Sequence, residues 1–321
     1  MPSDVVVTTG ARLHFGFFAH GRPDGRQFGG VGVMVDRPGF VVRVRRAAHE
    51  DLQCGSWIVR VEELLARLRF AGSADLTHEP LRIEIPQAPP AHAGLGSGTQ
   101  LAMALARAMN VLAKRDGLSY DRLARLTGRG ARSSVGLHGF HHGGLLVEAG
   151  KRAPNDISPL VAHVSFPEEW RFLLIRPRGA SGISGIEESR ELSRLAPMSA
   201  ELTAKLCALA LTEILPAAIE HDFAAASASI GAFGRLVGEY FAPVQGGLIA
   251  DQRMRGLAES LKSQGFEGVG QSSWGPTLFV LCENPASAAE LSTRLAVSTD
   301  AADCDFITAA PLNRGANVEE A

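Results

Sequence analysis

A glycine-rich loop set between a short strand and a long apolar helix constrains this 321-residue chain more than any other feature. The run Pro89-Pro90-Ala91-His92-Ala93-Gly94-Leu95-Gly96-Ser97-Gly98-Thr99-Gln100-Leu101 follows the β-branched segment Leu81-Arg82-Ile83-Glu84-Ile85 and opens a helix expected over about residues 99–115. Strand, loop and helix in that order make a phosphate-binding junction. Glycines let backbone N–H groups approach an anion with no Cβ in the way, and the unpaired N–H groups of a helix start carry a positive partial charge of about half an electron. Gly94, Gly96, Ser97, Gly98 and Thr99 are therefore the candidate phosphate-binding residues, with hydroxyls from Ser97 and Thr99, and His92 lines the approach. Neither common nucleotide signature fits: a Walker loop would place a lysine between Gly98 and Thr99, and a dinucleotide fingerprint would place glycine where Thr99 stands.

Around this junction the chain reads as α+β. Strands are expected at Val5-Val6-Val7-Thr8, at Val31-Gly32-Val33-Met34-Val35 and, after a turn at Arg37-Pro38-Gly39, at Phe40-Val41-Val42-Arg43-Val44. A helix over about 57–70 buries Val61, Leu64, Leu65 and Leu68, and the helix after the loop buries Leu101, Leu105, Ala108 and Leu112. Gly117 ends that helix, Ser119 caps the next, and Gly128 terminates it. A glycine- and histidine-rich passage leads to the strand Leu145-Leu146-Val147-Glu148. The turn Pro167-Glu168-Glu169 divides an N-terminal α+β domain (1–165), which carries the loop, from a C-terminal α+β domain (166–321). The latter opens on the strand Trp170-Arg171-Phe172-Leu173-Leu174-Ile175, continues through helices over about 200–237, 252–263 and 286–295 and strands near 277–281 and 305–308, and ends in a tail expected to be disordered beyond Asn313.

Composition excludes more than it selects. A 45% apolar content supports a sizeable core, and a net charge of −2 gives no bulk electrostatic reason to expect nucleic acid or an anionic membrane. Met1-Pro2-Ser3-Asp4 carries no basic run followed by an apolar stretch, and no apolar stretch approaching the roughly 20 residues of a membrane helix is expected, so a cytoplasmic location is the expectation. Cys54, Cys207, Cys282 and Cys304 lack paired spacing and read as reduced core residues.

The loop resembles the second motif of the GHMP kinase superfamily, usually Pro-x-x-x-Gly-Leu-Gly-Ser-Ser, with Gly98 in place of the second serine. Ala11-Arg12-Leu13-His14-Phe15-Gly16-Phe17-Phe18 resembles the first motif, and Gly270-Gln271-Ser272-Ser273-Trp274-Gly275-Pro276-Thr277 resembles the third. The resemblance implies a two-domain GHMP-kinase-like α+β fold with a ferredoxin-like C-terminal domain. The departure lies in Ser133-Ser134-Val135-Gly136-Leu137-His138-Gly139-Phe140-His141-His142-Gly143-Gly144. Mevalonate-type members carry a small-small-Val-Asp run here, and the aspartate is the kinase base. Gly136 stands in its place and has no side chain to orient a hydroxyl or accept its proton.

A branch of the superfamily with that departure, the β-ribofuranosylaminobenzene 5′-phosphate synthases of methanopterin-type cofactor biosynthesis, is similar to most of this chain. Its features here are Arg12-Leu13-His14-Phe15-Gly16, Arg26-Gln27-Phe28-Gly29-Gly30-Val31-Gly32, the glycine loop, and Gly128 to Gly136 with His138. The resemblance implies a decarboxylating phosphoribosyl transfer, in which 4-aminobenzoate or a close benzoate condenses with 5-phosphoribosyl pyrophosphate and releases carbon dioxide and pyrophosphate. The phosphate chemistry of that reaction calls for Mg2+ accompanying the pyrophosphate donor, Gly136 in place of the kinase base predicts no ATP requirement, and the resemblance implies a homodimer. Rival readings are an ATP-dependent GHMP kinase with its base moved elsewhere and a catalytically inactive metabolite-binding member.

Such a reaction needs leaving-group charge neutralised and an aromatic acid aimed at the sugar. Arg129 and Arg132 suit fork contacts to pyrophosphate or the 5′-phosphate, and Arg12 suits the carboxylate. Arg26 is a second candidate for carboxylate or phosphate. Phe15, Phe17 and Phe18 offer an apolar slot or plain core packing. His14 and His138 are candidates for an imidazolium beside an anion or for a general acid. His138, His141 and His142 make only a weak zinc signature; a magnesium carboxylate would come from Asp36, Glu148 or Asp156, the last doubling as a turn cap.

Overall fold

The fold is that of a computed structural model, which describes residues 3–71, 76–114, 119–183 and 185–320. The expected helix end at Arg115 and Gly117 lies outside the described residues. The N-terminal half supplies β1 (Asp4–Ala19), β2 (Phe28–Arg46), β3 (Asp51–Gln53), α1 (Ile58–Ala71), β4 (Leu81–Gln87), α2 (Ser97–Leu112), α3 (Tyr120–Thr127), α4 (Val135–His142), β5 (Leu145–Glu148) and β6 (Leu160–Val164). Then follow β7 (Arg171–Pro177), α5 (Gly185–Leu192), α6 (Ala200–Ala208), α7 (Leu215–Glu220), α8 (Phe223–Gln245), α9 (Gln252–Ser263), β8 (Val269–Gln271), β9 (Leu278–Cys282), α10 (Pro285–Ala296), β10 (Cys304–Ala309) and β11 (Asn317–Glu320).

Two sheets organise these elements. A seven-stranded sheet runs β11-β1-β2-β4-β3, with β5 on β2 and β6 on β5; a four-stranded sheet runs β10-β7-β9-β8. The turn expected at Arg37-Pro38-Gly39 is instead a bulge inside the single long strand β2: Thr9 pairs with Phe40 and Ala11 with Val35, so the residues between them swing out opposite Gly10. A Cβ at Gly10 would sit 2.1 Å from the Val35 carbonyl oxygen, which is why a glycine stands there. The tail expected to be disordered forms β11, antiparallel to β1, after Asn313 exchanges two 2.8 Å hydrogen bonds with the Phe166 backbone.

Most helices follow their apolar periodicity. Val61, Leu64, Leu65 and Leu68 of α1 are buried, α2 is buried along nearly its whole length, and Ser119 Oγ accepts the Arg122 N–H at the start of α3, which ends at Gly128 (φ +63°). The helix α4 was not evident in its glycine- and histidine-rich sequence. Packing decides it: a Cβ at Gly139 would fall 2.3 Å from Met34 Sδ, so the glycine there lets this helix lie close to the sheet. The expected helical span 200–237 breaks at His221 (φ +57°), where Asp222 caps α8 through the Ala225 N–H. Contrary to the expectation that no apolar stretch is long enough, Ala200–Glu220 meets the length and composition of a membrane-crossing helix, with mean hydropathy 1.6. Its Leu206, Ala210, Ile214, Leu215, Ala217 and Ala218 pack into the largest core cluster, which also joins Phe15 and Phe18 of β1 to Phe279 and Phe233. That core fixes β1, and with it the site, against the second sheet.

Candidate active site

A cleft of about 600 Å³ opens where β1, the glycine loop, the α3–α4 connection and the Ser272–Gly275 loop converge. Gly96 stands at the N-cap of α2 in the left-handed region (φ +71°) and provides no side-chain cap. The first N–H groups of the helix are thus left for a ligand. Two arginines flank this helix start. A Cβ on Gly96 would touch Arg12, 3.3 Å from its Cβ and 3.5 Å from Nε; a Cβ on Gly98 would lie 3.1 Å from Arg129 Nη2. Arg12 Nη1 also donates to the Gly94 carbonyl at 3.4 Å, while its Nε is buried with no partner among the described residues. Burial pushes the Arg12 pKa down to about 10, against the pull of Glu188 and Glu148, so the group stays cationic at neutral pH.

The loop is pinned from the far end of the chain. Ser272 Oγ donates to the Gly94 carbonyl at 2.8 Å and accepts the His14 N–H at 3.2 Å, and the Ser273 N–H donates to the His14 carbonyl at 3.1 Å. Beside this junction the His14 ring meets Phe17 edge-on at 5.1 Å, and Trp274 meets Phe241 at 4.9 Å; His14, Phe17 and Trp274 form an aromatic wall of the cleft. Burial, then the charge of Arg12, holds the His14 pKa well below its ordinary value, so the resting protein carries a neutral imidazole there rather than the expected imidazolium.

The expected residues therefore divide. Arg12, His14, His92, Gly94, Gly96, Ser97, Gly98, Thr99, Arg129 and Arg132 all line the cleft. Arg132 is engaged: its Nη2 pairs with Glu188 Oε2 at 2.5 Å and its Nη1 donates to Ser189 Oγ at 3.0 Å, so it is not the open fork the sequence suggested. Arg26 and His138 do not reach the cleft wall. Arg26 Nη1 is used on the Gly150 carbonyl at 2.9 Å, and His138 Nε2 bonds the Ser158 carbonyl at 2.7 Å behind α4. Nor do the three candidate magnesium carboxylates line it. Asp36 accepts the Ala310 N–H at 2.8 Å, Asp156 caps its turn through the Ala153 N–H at 2.9 Å, and Glu148 is buried behind Ser133 and Ser134. Among the described residues, no group of three or more His, Cys, Asp or Glu side chains is arranged to hold a metal ion.

Sequence reasoning missed Glu188, which lies 56 residues from Arg132 and has no local signature, and gave no role to Trp274 although it stood inside a quoted motif. Gly136 sits on α4 directly under the loop. Its carbonyl accepts the Gln100 Nε2–H at 2.8 Å, and a Cβ there would make ordinary contact with Thr99 Cγ2 at 3.5 Å. The position where kinases of this type carry a carboxylate thus faces the glycine loop with no side chain.

Glycine loop, long buried helix and paired sheets together define a GHMP kinase superfamily protein, and the chain belongs to that superfamily. Residues 58–145 match the GHMP kinases N terminal domain and residues 214–297 the GHMP kinases C terminal domain. Homoserine kinase from Cytophaga hutchinsonii has the same fold at TM-score 0.68 and 16% identity, covering 99% of this chain and 98% of that one; mevalonate pyrophosphate decarboxylase from Streptococcus pyogenes does so at 0.69 and 12%, covering 97% and 98%. In sequence the chain is similar to beta-ribofuranosylphenol 5′-phosphate synthases. That of Methanothermobacter thermautotrophicus is 29% identical over 310 residues, covering 90% of this chain and 92% of the relative, and that of Archaeoglobus fulgidus is 27% identical over 331 residues, covering 98% and 99%. The likeness is to enzymes of the synthase type.

Proposed function

We propose that the chain is a decarboxylating phosphoribosyl transferase, joining 5-phosphoribosyl pyrophosphate to the carboxylate-bearing ring carbon of a para-substituted benzoate. 4-Aminobenzoate and 4-hydroxybenzoate both meet the requirement of a para donor. The relatives' name, which specifies a phenol, favours testing the hydroxyl compound beside the amine. The carrying observation is the pair of arginines on either side of the α2 helix start, combined with Gly136 in the position of the kinase base. Donor phosphates would meet the first-turn N–H groups of α2 and the Arg129 guanidinium, where leaving-group charge grows as the bond to pyrophosphate breaks. Arg12, next to the aromatic wall of His14, Phe17 and Trp274, would hold the benzoate carboxylate and aim the ring.

Magnesium enters this proposal with the donor, since it favours phosphate oxygens and few protein ligands. The carboxylates lining the cleft, Glu188 and Glu63, are each ion-paired with an arginine, so the protein supplies no ready cage and no step is routed through the ion. A place in tetrahydromethanopterin biosynthesis, a cytoplasmic location, homodimerisation and independence from ATP, nucleic acid and membrane belong to the same proposal.

Incubation with carboxyl-labelled aminobenzoate or hydroxybenzoate and 5-phosphoribosyl pyrophosphate, with ATP in a parallel reaction, tests it. Labelled carbon dioxide and pyrophosphate should appear in equal amounts, and benzoate lacking a para donor should bind but react poorly. Product that retains the carboxylate, or phosphate transfer from ATP at a comparable rate, would replace this reading with an N-ribosyl transferase or a kinase.

A further inference from the structure

We propose that Glu188 reads the donor sugar: through Oε1 it accepts the hydrogen bond of the ribose C2 hydroxyl, and its charge faces the positive charge that develops at C1. The assignment rests on the transferase reading above and narrows it to ribosyl rather than deoxyribosyl donors.

Glu188 belongs to α5, is 9% exposed and lines the cleft. Its Oε2 is committed to Arg132 Nη2 at 2.5 Å, and Arg132 Nη1 donates to Ser189 Oγ at 3.0 Å, one residue further along the same helix. Oε1 accepts no hydrogen bond from any described residue, although a carboxylate offers about four acceptor sites over its two oxygens. Nor is it sealed in the interior: His14 Nε2 and Glu148 Oε1 are buried atoms without a partner among the described residues, and Glu188 Oε1 is not one of these. Arg132 therefore fixes the carboxylate by one oxygen and leaves the other open to a ligand.

A carboxylate in this place opposes anion binding. Arg12, Arg129 and the first-turn N–H groups of α2 gather phosphate and carboxylate into the same cleft, and a like charge among them repels those groups. Glu63, the other carboxylate on the wall, stands at the rim with its side chain 57% exposed and paired to Arg60. Glu188 is buried within, where an open carboxylate oxygen suits a hydrogen-bond donor. The ionised phosphates and carboxylate of the two substrates offer none; the ribose hydroxyls and the para substituent do.

Charge decides between these. Arg132 and Arg12 are the charges that act on Glu188, favouring its carboxylate form against burial, and Glu188 is the foremost charge acting on Arg12. Arg12 is the residue assigned to the benzoate carboxylate, and the ring carbon bearing that group is the one that bonds to ribose C1. The C2 hydroxyl, next to C1, thus lies on the Arg12 side of the cleft with Glu188, whereas the para substituent lies at the far end of the ring.

The step balances. The C1–oxygen bond breaks and pyrophosphate leaves with its electron pair, while the ring carbon supplies the pair for the new C1–carbon bond. The ring–carboxylate bond then breaks, its pair restores the aromatic ring and carbon dioxide departs. Glu188 takes up no proton. While C1 carries positive charge, a hydrogen bond from the C2 hydroxyl to a carboxylate strengthens.

Isothermal titration of the whole protein with ribose 5-phosphate and with 2-deoxyribose 5-phosphate tests the assignment. The wild type should bind the ribose compound on the order of 10-fold tighter, as a hydrogen bond to a charged group allows. Glu188→Ala should bring the two affinities to within about twofold, with 2-deoxyribose 5-phosphate bound at least as tightly as before because a negative charge is gone. A merely structural role would weaken both sugars alike and leave their ratio unchanged. Should Glu188→Ala not fold, Glu188→Gln, which keeps an oxygen for Arg132, should lower the same ratio because the hydrogen bond loses its charge. No binding of ribose 5-phosphate, no preference in the wild type, or a preference kept in the folded variant overturns the assignment. If carbon dioxide and pyrophosphate are nonetheless released from the full substrates, the transferase reading stands and only this role is removed. A preference that depends on Glu188 in a protein that releases neither keeps the sugar site and removes the transferase reading.

Discussion

The guanidinium of Arg129 rests against Gly98, so closely that a Cβ on Gly98 would come to 3.1 Å from Arg129 Nη2. An arginine fork and the start of a buried helix therefore present positive charge to the same point. Arg12 does the same from the other side, packed on Gly96.

Gly96→Val and Gly98→Val should weaken binding of 5-phosphoribosyl pyrophosphate more than binding of the benzoate. At Gly96 the left-handed backbone (φ +71°) disfavours any β-branched residue, and at Gly98 the new side chain displaces Arg129. Isothermal titration with each substrate measures this, and an unchanged donor affinity in a folded variant contradicts the loop assignment.

Arg129→Ala should lower kcat by a factor corresponding to about 2–4 kcal/mol, the usual cost of removing one donor to developing charge, and Arg129→Lys should recover only part of it. Steady-state kinetics decide it. Wild-type rates in the alanine variant would return Arg129 to the solvated surface.

Arg132→Ala should act on the fold as well as on the rate. It strands Glu188, whose pKa burial already raises and Arg132 pulls down. Thermal unfolding of Arg132→Ala should show a lower Tm, which the double variant Arg132→Ala/Glu188→Gln partly restores because the unpaired carboxylate is gone. Equal Tm values in the single and double variants would show that the ion pair contributes nothing.

Gly136→Asp should reduce the transferase rate without creating a kinase. The Cβ fits beside Thr99 at 3.5 Å, but a carboxylate there repels the phosphates the loop serves. Incubation with γ-labelled ATP and pyrophosphate release measured side by side check both halves of the expectation.

Acidification below pH 6.5 should destabilise the protein through its buried histidines. Burial lowers the pKa of His14, His20, His138 and His142 from the ordinary 6.5, so the unfolded chain binds protons that the folded one does not. Their contribution is full above 6.5 and is lost as the pH falls towards the folded values. Glu148 and Glu188, with raised values, run the other way, their contribution being full below 4.5 and lost as the pH rises. Urea unfolding of His14→Gln across this range should show a shallower loss below pH 6.5 than the wild type, and identical curves would show that His14 does not titrate on unfolding.

The phosphate junction was legible because it is local: a strand, glycines and an apolar helix in sequence determine their own geometry whatever surrounds them. The same holds for the buried stripes of α1 and α2, the Ser119 cap and the bare position at Gly136. The tail was misread because β11 gains its order from the edge of β1, some 300 residues away, and α4 because its glycines are unfavourable for a helix until Met34 and α2 close over them. At the site, residue type narrowed the candidates while packing chose among them. Arg26 and Arg12 are the same residue in similar glycine-rich company, yet one is used on the Gly150 carbonyl and the other lies in the cleft. Arg132 met its carboxylate on α5 through a contact between segments far apart in the chain. Periodicity and motif spacing report only what neighbours along the chain impose, whereas which buried charge faces which partner is set by how the two sheets and their helices close upon one another.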